Sequence, residues 1–304
     1  MSAQPSHGAE ATRAWSAWIA VCLIWGTTYL AIKIALETIP PFLMGGLRYL
    51  SAGLLLAAIL RLRGHRLPGV RAWPTLAVVG FFMLAFGNGG VVLAEGWIPS
   101  GLTAVLIGTT PFWMLGVEAA FSRERVVHAR QWIGGAVGFS GIVMLVWPEI
   151  TAGGAAGRNF VWGVIAVQMA CAGWALGSAY TKRHVLPSDI LGSAAMQMIF
   201  GGLSMLIVGT VLGEWPLLHF TSKTAAMFLY LTLAGSLVAF AAYSYALKHL
   251  DVAIVSLYTY VNPIIAVILG AILLGEPMHM RMIVAAGVIL VGMAIVRKGT
   301  SVSS

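Results

Sequence analysis

Charge is what this chain lacks. Of its 304 residues, 9% are Asp, Glu, Lys or Arg, whereas 59% are hydrophobic and the mean hydropathy is +0.90. A soluble domain carries roughly 25% charged residues, so the composition describes an integral membrane protein. No polar stretch is long enough for a soluble domain beside it. Cysteine is nearly absent too. Cys22 and Cys171 both fall inside apolar runs, which excludes a disulfide framework and a thiolate metal site. Enzyme signatures are missing: there is no Gly-x-x-x-x-Gly-Lys-Ser/Thr phosphate loop, no His-Glu-x-x-His and no Gly-x-Ser-x-Gly. The seven histidines are scattered, mostly near loops. No enzyme activity, cofactor or metal is expected, and an ATP-driven pump would need a partner chain. The net charge of +8 would suggest nucleic acid in a soluble protein. Here the basic residues lie in short loops between apolar runs, where they set orientation, and no nucleic-acid partner is expected. The expected partners are membrane lipid and a small molecule.

What the chain has is ten apolar runs, each near the ~20 residues that a helix needs to cross a bilayer. The first five run Trp15–Leu36, Phe42–Leu60, Trp73–Glu95, Ser100–Phe121 and Gln131–Trp147, behind a short polar tail over residues 1–14. The second five run Phe160–Tyr180, Ile190–Leu212, Lys223–Leu247, Val252–Leu274 and Met280–Val296. No small-residue cleavage motif follows the first apolar run, so that run reads as a retained span. The links are brief and rich in proline and glycine. The Gly/Ala-rich stretch 151–159 is expected as a linker between residues 1–150 and 160–304.

The halves repeat one another. Cys22, Trp25 and Lys33 recur 149 residues later as Cys171, Trp174 and Lys182, and Gly53 recurs as Gly202. At an offset of 152, Pro111, Glu124 and Gly135 match Pro263, Glu276 and Gly287. Ordered matches at a near-constant offset point to a duplication. Five spans per half is an odd number, so the second half crosses the membrane the other way up, giving two inverted five-helix repeats around a central cavity. If the N-terminus is cytoplasmic, 13 of the 18 basic residues fall on the cytoplasmic side, and both termini lie there.

Polar and aromatic residues inside apolar spans are the candidate substrate contacts. Trp25 and Tyr29 share a helix face four residues apart. Asn88 sits in the run Gly87-Asn88-Gly89-Gly90 at mid-depth, where an unpaired amide is costly in lipid and so favours a wet cavity. Trp113 lies beside Pro111, and Tyr258 and Asn262 share a face beside Pro263. Trp174 mirrors Trp25, and Tyr243 lies in the eighth span. Proline removes a backbone donor and bends a helix, which makes Pro111 and Pro263 candidate hinges or sources of free carbonyls. Lys33, near a span end, is expected to snorkel to the interface. Glu124 and Glu276 read as structural or gating residues. No carboxylate lies at mid-depth, leaving Glu118 and Glu95 as the remaining candidates for proton coupling. Gly134, Gly135, Gly138 and Gly141 form a small-residue face for helix packing, within the chain or between subunits.

The run Trp25-Gly26-Thr27-Thr28-Tyr29 with Lys33, Arg48 in the second span, and the spans ending Pro111…Glu124 and Pro263…Leu274-Gly275-Glu276 resemble EamA-type members of the drug/metabolite transporter superfamily. The resemblance covers nearly the whole chain. It implies an all-α membrane protein of ten helices that exports small metabolites, notably amino acids, across the bacterial inner membrane by alternating access. The aromatic lining is similar to that of the branch exporting aromatic and other amino acids. Gln197 stands where the first half has Arg48, and Ser178 where it has Tyr29, so those positions do not repeat. Sugar phosphates, nucleotide sugars and drugs are alternative solutes on the same fold. A phosphate site would want convergent Arg or Lys residues, and the mid-depth lining offers Arg48. An uncoupled facilitator or channel is a further alternative.

Overall fold

The computed structural model describes residues 7–121, 129–184, 190–250, 252–255, 257–277 and 279–300. No strand occurs among them. Among the described residues ten helical spans follow one another: helix 1 (His7–Ala35), helix 2 (Pro41–Leu62), helix 3 (Val70–Glu95), helix 4 (Ser100–Phe121) and helix 5 (Ala129–Ala152), then helix 6 (Gly154–Arg183), helix 7 (Ile190–Val211), helix 8 (Ser222–His249), helix 9 (Val252–Val255 and Tyr258–Leu274) and helix 10 (Met280–Thr300). Among the described residues, eight helices are long and apolar enough to cross a membrane, and Tyr258–Leu274 and Met280–Val296 are shorter apolar helices. Helix is the form an apolar chain takes in lipid, where each backbone N–H must find its partner within the segment. We call the end at which the odd-numbered helices finish the distal face.

Residue size separates outside from inside. Ile207 is 65% exposed and Ile272 72%, a lipid-facing surface of branched side chains. Glycine instead marks the helix contacts. A Cβ on Gly202 would lie 2.5 Å from the Leu50 nitrogen, and one on Gly53 2.8 Å from the Ala195 carbonyl, so helices 2 and 7 meet backbone to backbone. Helices 5 and 10 meet likewise, with a Cβ on Gly134 only 2.8 Å from the Gly292 carbonyl and one on Gly141 3.0 Å from that of Ala285. The glycine face of helix 5 is therefore used inside the chain at these positions, whereas Gly135 faces open space. The remaining partners follow one rule. Helix 1 packs on helices 8 and 9, helix 6 packs on helices 3 and 4, and helix 4 also packs on helix 9.

The stretch 151–159, expected as a linker, is helical on either side of Gly153. Gly153 and Gly154 take φ of 67° and 83°, the left-handed region that glycine enters without a Cβ penalty. Two such residues reverse the chain, and the alanines beside them extend helices 5 and 6 toward it. The spans of helices 4 and 9 are broken. Helix 4 stops at Ile107 and restarts at Thr110, placing Pro111 at the start of its second piece, where a missing N–H costs nothing. Helix 9 restarts at Tyr258 and carries Pro263 inside the second piece. Glu124 lies outside the described residues.

Replacing Gly202 with valine inserts a branched side chain where the neighbour is backbone, and we expect a loss of roughly 1–3 kcal/mol or more. Gly287→Ala, at a position with nothing within 4 Å, is the control. Thermal unfolding in detergent measures both, and equal midpoints for the two variants would contradict the backbone contact.

Candidate substrate site

Helices 3 and 8 each contain a widened segment with i→i+5 bonding, Phe81–Asn88 and Leu231–Val238. Such turns are rare and gather at functional sites. In both, a side chain donates back five residues: Asn88 Nδ2 to the Met83 carbonyl at 3.4 Å and Ser236 Oγ to that of Leu231 at 3.1 Å. Each segment also meets a tryptophan from another helix. Trp25 Nε1 donates to the Gly235 carbonyl at 3.1 Å. Trp174 covers Gly87, where a Cβ would lie 2.6 Å from the Trp174 Cδ1. The glycine is required at that contact because the indole occupies the space a side chain would need.

Around Trp25 the structure brings together two further rings. Tyr243 and Tyr258 have centroids 5.3 and 5.0 Å from it, and lie 5.8 Å from each other. These edge and tilted contacts are worth about 0.5–1.5 kcal/mol per pair beyond area burial. Tyr29, one turn along helix 1, interacts electrostatically with Tyr258, Glu95, Cys171 and Tyr49. Asn262 is buried, and its Nδ2 is oriented to donate to the Cys22 and Tyr258 carbonyls, both at 3.1 Å. The amide thereby ties the start of helix 9 to helix 1.

The other predicted residues gather on helices 3, 4 and 6. Trp113 Nε1 donates to Gln168 Oε1 at 2.9 Å, and Thr109 Oγ1 to the same oxygen at 3.1 Å. Thr110 Oγ1 lies 3.3 Å from Cys171 Sγ. Gln168 Nε2 is buried without a hydrogen-bond partner, a donor left over at the edge of Trp113. Sequence reasoning passed over Gln168, although it is the one side-chain amide in the apolar run Phe160–Tyr180. It also missed Gly87 as the seat of a ring, because a glycine in an apolar run gives no hint of which ring will cover it.

Charged residues serve the distal face. Lys33, expected to snorkel, donates instead to the backbone carbonyls of Glu95 and Ile98, capping the end of helix 3 where carbonyls lack partners. Glu276 accepts from Ser100 N at 2.7 Å and Gly101 N at 3.1 Å, and Glu214 from Leu43 N at 2.8 Å. Each carboxylate holds a helix N-terminus, where exposed N–H groups and the helix dipole favour an anion. Arg48 is buried, with Nε donating to Ser236 Oγ at 2.9 Å and its guanidinium 4.8 Å from the Tyr49 ring centroid. It braces the widened segment of helix 8.

An all-helical chain whose described residues form long apolar spans is a multi-pass membrane protein. The EamA-like transporter family matches residues 13–147 and 161–298, and the chain belongs to that family, within the drug/metabolite transporter superfamily. It is 38% identical to the uncharacterized inner membrane transporter YedA of Escherichia coli (strain K12), over 93% of this chain and 90% of that protein. It is 25% identical to the uncharacterized transporter YvbV of Bacillus subtilis (strain 168), over 88% and 86%. A WAT1-related chloroplastic protein of Arabidopsis thaliana is 27% identical over 93% of this chain and 69% of its own. A crystal structure at 19% identity superposes with a TM-score of 0.63, over 96% of this chain and 99% of that one, and shares the fold. The family is one of transporters, not enzymes, and the E. coli and B. subtilis relatives are named transporters.

Glu276→Ala removes the acceptor for two helix-4 donors and is expected to cost about 0.5–2 kcal/mol. Glu276→Gln, which keeps one acceptor oxygen, recovers part of it. The check is the detergent melting temperature of the three proteins; full stability in Glu276→Ala would remove the carboxylate from this role.

Proposed function

We propose that this protein is a secondary exporter of small zwitterionic metabolites, amino acids and aromatic ones among them, in a bacterial inner membrane. It works by alternating access, with both termini cytoplasmic. The observation that carries the reading is the ring cluster of Trp25, Tyr243 and Tyr258, drawn from three helices and bounded by Tyr29. Flat apolar rings suit a side chain, while hydroxyls and amides suit the charged ends of a zwitterion. The partnerless Gln168 Nε2 beside Trp113 is a donor for a carboxylate. Asn88 and Trp174 complete the lining on the helix 3 and helix 6 side.

An inverted repeat underlies the cycle in this reading. Packing partners support it: exchanging each helix with the one five places on turns helix 1 against 8 and 9 into helix 6 against 3 and 4. The widened segments, 150 residues apart, support it as well. So does a family match in two stretches of similar length. Helices 4 and 9 would bend at their breaks, with Pro111 and Pro263 easing the motion, while Asn262 keeps helix 9 attached to helix 1. The E. coli relative named an inner membrane transporter supports the localisation.

Purified protein in liposomes preloaded with unlabelled L-phenylalanine is expected to take up labelled L-phenylalanine from outside. Trp25→Ala and Tyr258→Ala should each raise the half-saturating concentration about 3–10-fold, the equivalent of losing one or two ring contacts. Exchange of sugar phosphates with no exchange of any amino acid would defeat the reading.

A further inference from the structure

Glu95, at the C-terminal end of helix 3, has no place in the substrate site as described, yet its burial is extreme. The residue is 0% exposed, and both Oε1 and Oε2 lack a hydrogen-bond partner. An ionised carboxylate does not persist in such a place; it takes up a proton or finds a cation. The cation is adjacent and otherwise engaged. Lys33 directs its ammonium to the backbone carbonyls of Glu95 and Ile98, not to the Glu95 carboxyl. The helix-3 dipole also ends here with its negative pole, which opposes an anion.

Helix 3 near Glu95 packs on helices 1, 2, 4 and 6, and four titratable or charged groups interact electrostatically with its carboxyl. Helix 1 supplies Tyr29 and Lys33, helix 2 supplies Arg48, and Glu276 follows helix 9. Helix 6 supplies Cys171, which faces Tyr29. On helix 4, Ser100, which donates its N–H to Glu276, likewise has a buried Oγ without a partner. On the other side, a cavity of about 290 Å³ opens on the distal face, lined by Glu37, Thr38, Pro40, Gly96 and Leu217 among others. Gly96, which lines this cavity, is the residue that follows Glu95 in the chain.

We infer that Glu95 is a proton-binding site that couples export to a proton gradient, with Lys33 as its exchangeable counter-ion. The inference rests on the exporter reading and names the coupling of the same transport cycle. In the state seen here the carboxyl holds a proton received from the distal cavity, and Lys33 caps helix 3. When the proton leaves toward Tyr29 and the substrate site, the carboxylate keeps the electron pair. The Lys33 ammonium then swings from the two carbonyls to the carboxylate. Helix 3 loses its cap, and the distal closure loosens. One proton enters for each such event, and substrate leaves in the opposite direction.

The test uses full-length protein in liposomes with labelled L-phenylalanine outside. Two uptakes are compared, counterflow at equal pH and accumulation driven by an acidic interior. Wild type should accumulate label under the gradient. In Glu95→Gln, which mimics the neutral carboxyl and keeps its shape, the ratio of gradient-driven uptake to counterflow should fall at least tenfold. Counterflow without any gradient-driven accumulation in wild type, or an equal ratio in the variant, overturns the inference. Infrared difference spectra of the same two proteins at neutral pH judge Glu95 without substrate. A protonated-carboxyl C=O band present in wild type and lost in Glu95→Gln supports the inference, and its absence from wild type overturns it. Failure of all amino-acid exchange with that band intact would count against the substrate class alone.

Discussion

The seating of a tryptophan on a widened helical turn is the contact on which the centre of this protein depends. In helix 3 a glycine lets an indole approach the backbone, Trp174 on Gly87, and in helix 8 the Trp25 indole donates to the Gly235 carbonyl while Thr28 and Arg48 fill the space beside that glycine. In lipid no water stands by to satisfy a displaced backbone group, so a side chain must do it. Ser236 and Asn88 do so within their own segments, and the Trp25 indole does so from another helix. From the Trp25 contact the ring cluster follows, since an indole anchored at its nitrogen presents its faces to Tyr243 and Tyr258. Arg48 bracing Ser236 ties helix 2 into the same arrangement.

Scarcity of charge shapes the rest. Each buried charge in an apolar chain must be absorbed, and here helix ends absorb three of them. Glu276 and Glu214 sit on N-termini, Lys33 on a C-terminus. Together with the Lys223–Glu37 and Arg281–Glu149 pairs, these contacts draw the distal ends of the helices together. Glu95 breaks the pattern, being buried beside a cation that is used elsewhere. A residue that departs from a rule its neighbours obey is where function is to be sought.

The ten spans were legible because crossing a bilayer demands a long apolar run, and few other structures need one. Trp25, Tyr243 and Tyr258 were legible as candidates for a related reason: large amphipathic rings at mid-span have little to do in lipid. Their meeting point was not legible, because three helices distant in sequence had to be docked first. Gln168 was overlooked for the same cause, as an amide among apolar neighbours gains meaning only when Trp113 and Thr109 are found beside it. Lys33 was misjudged because its position near a span end fits snorkelling equally well, and only the fold reveals the carbonyls of helix 3 within its reach.

By itself, the sequence determined that this chain lives in a membrane, that it is helical throughout its spans, and that its two halves echo one another. Those properties follow from composition and from patterns local to each run, which do not depend on how helices pack. Tertiary structure decided what each polar side chain is for. A carboxylate that caps a helix and one that stands alone look the same along the chain. Glu276 and Glu95 part company because one reaches backbone N–H groups of another helix and the other reaches nothing.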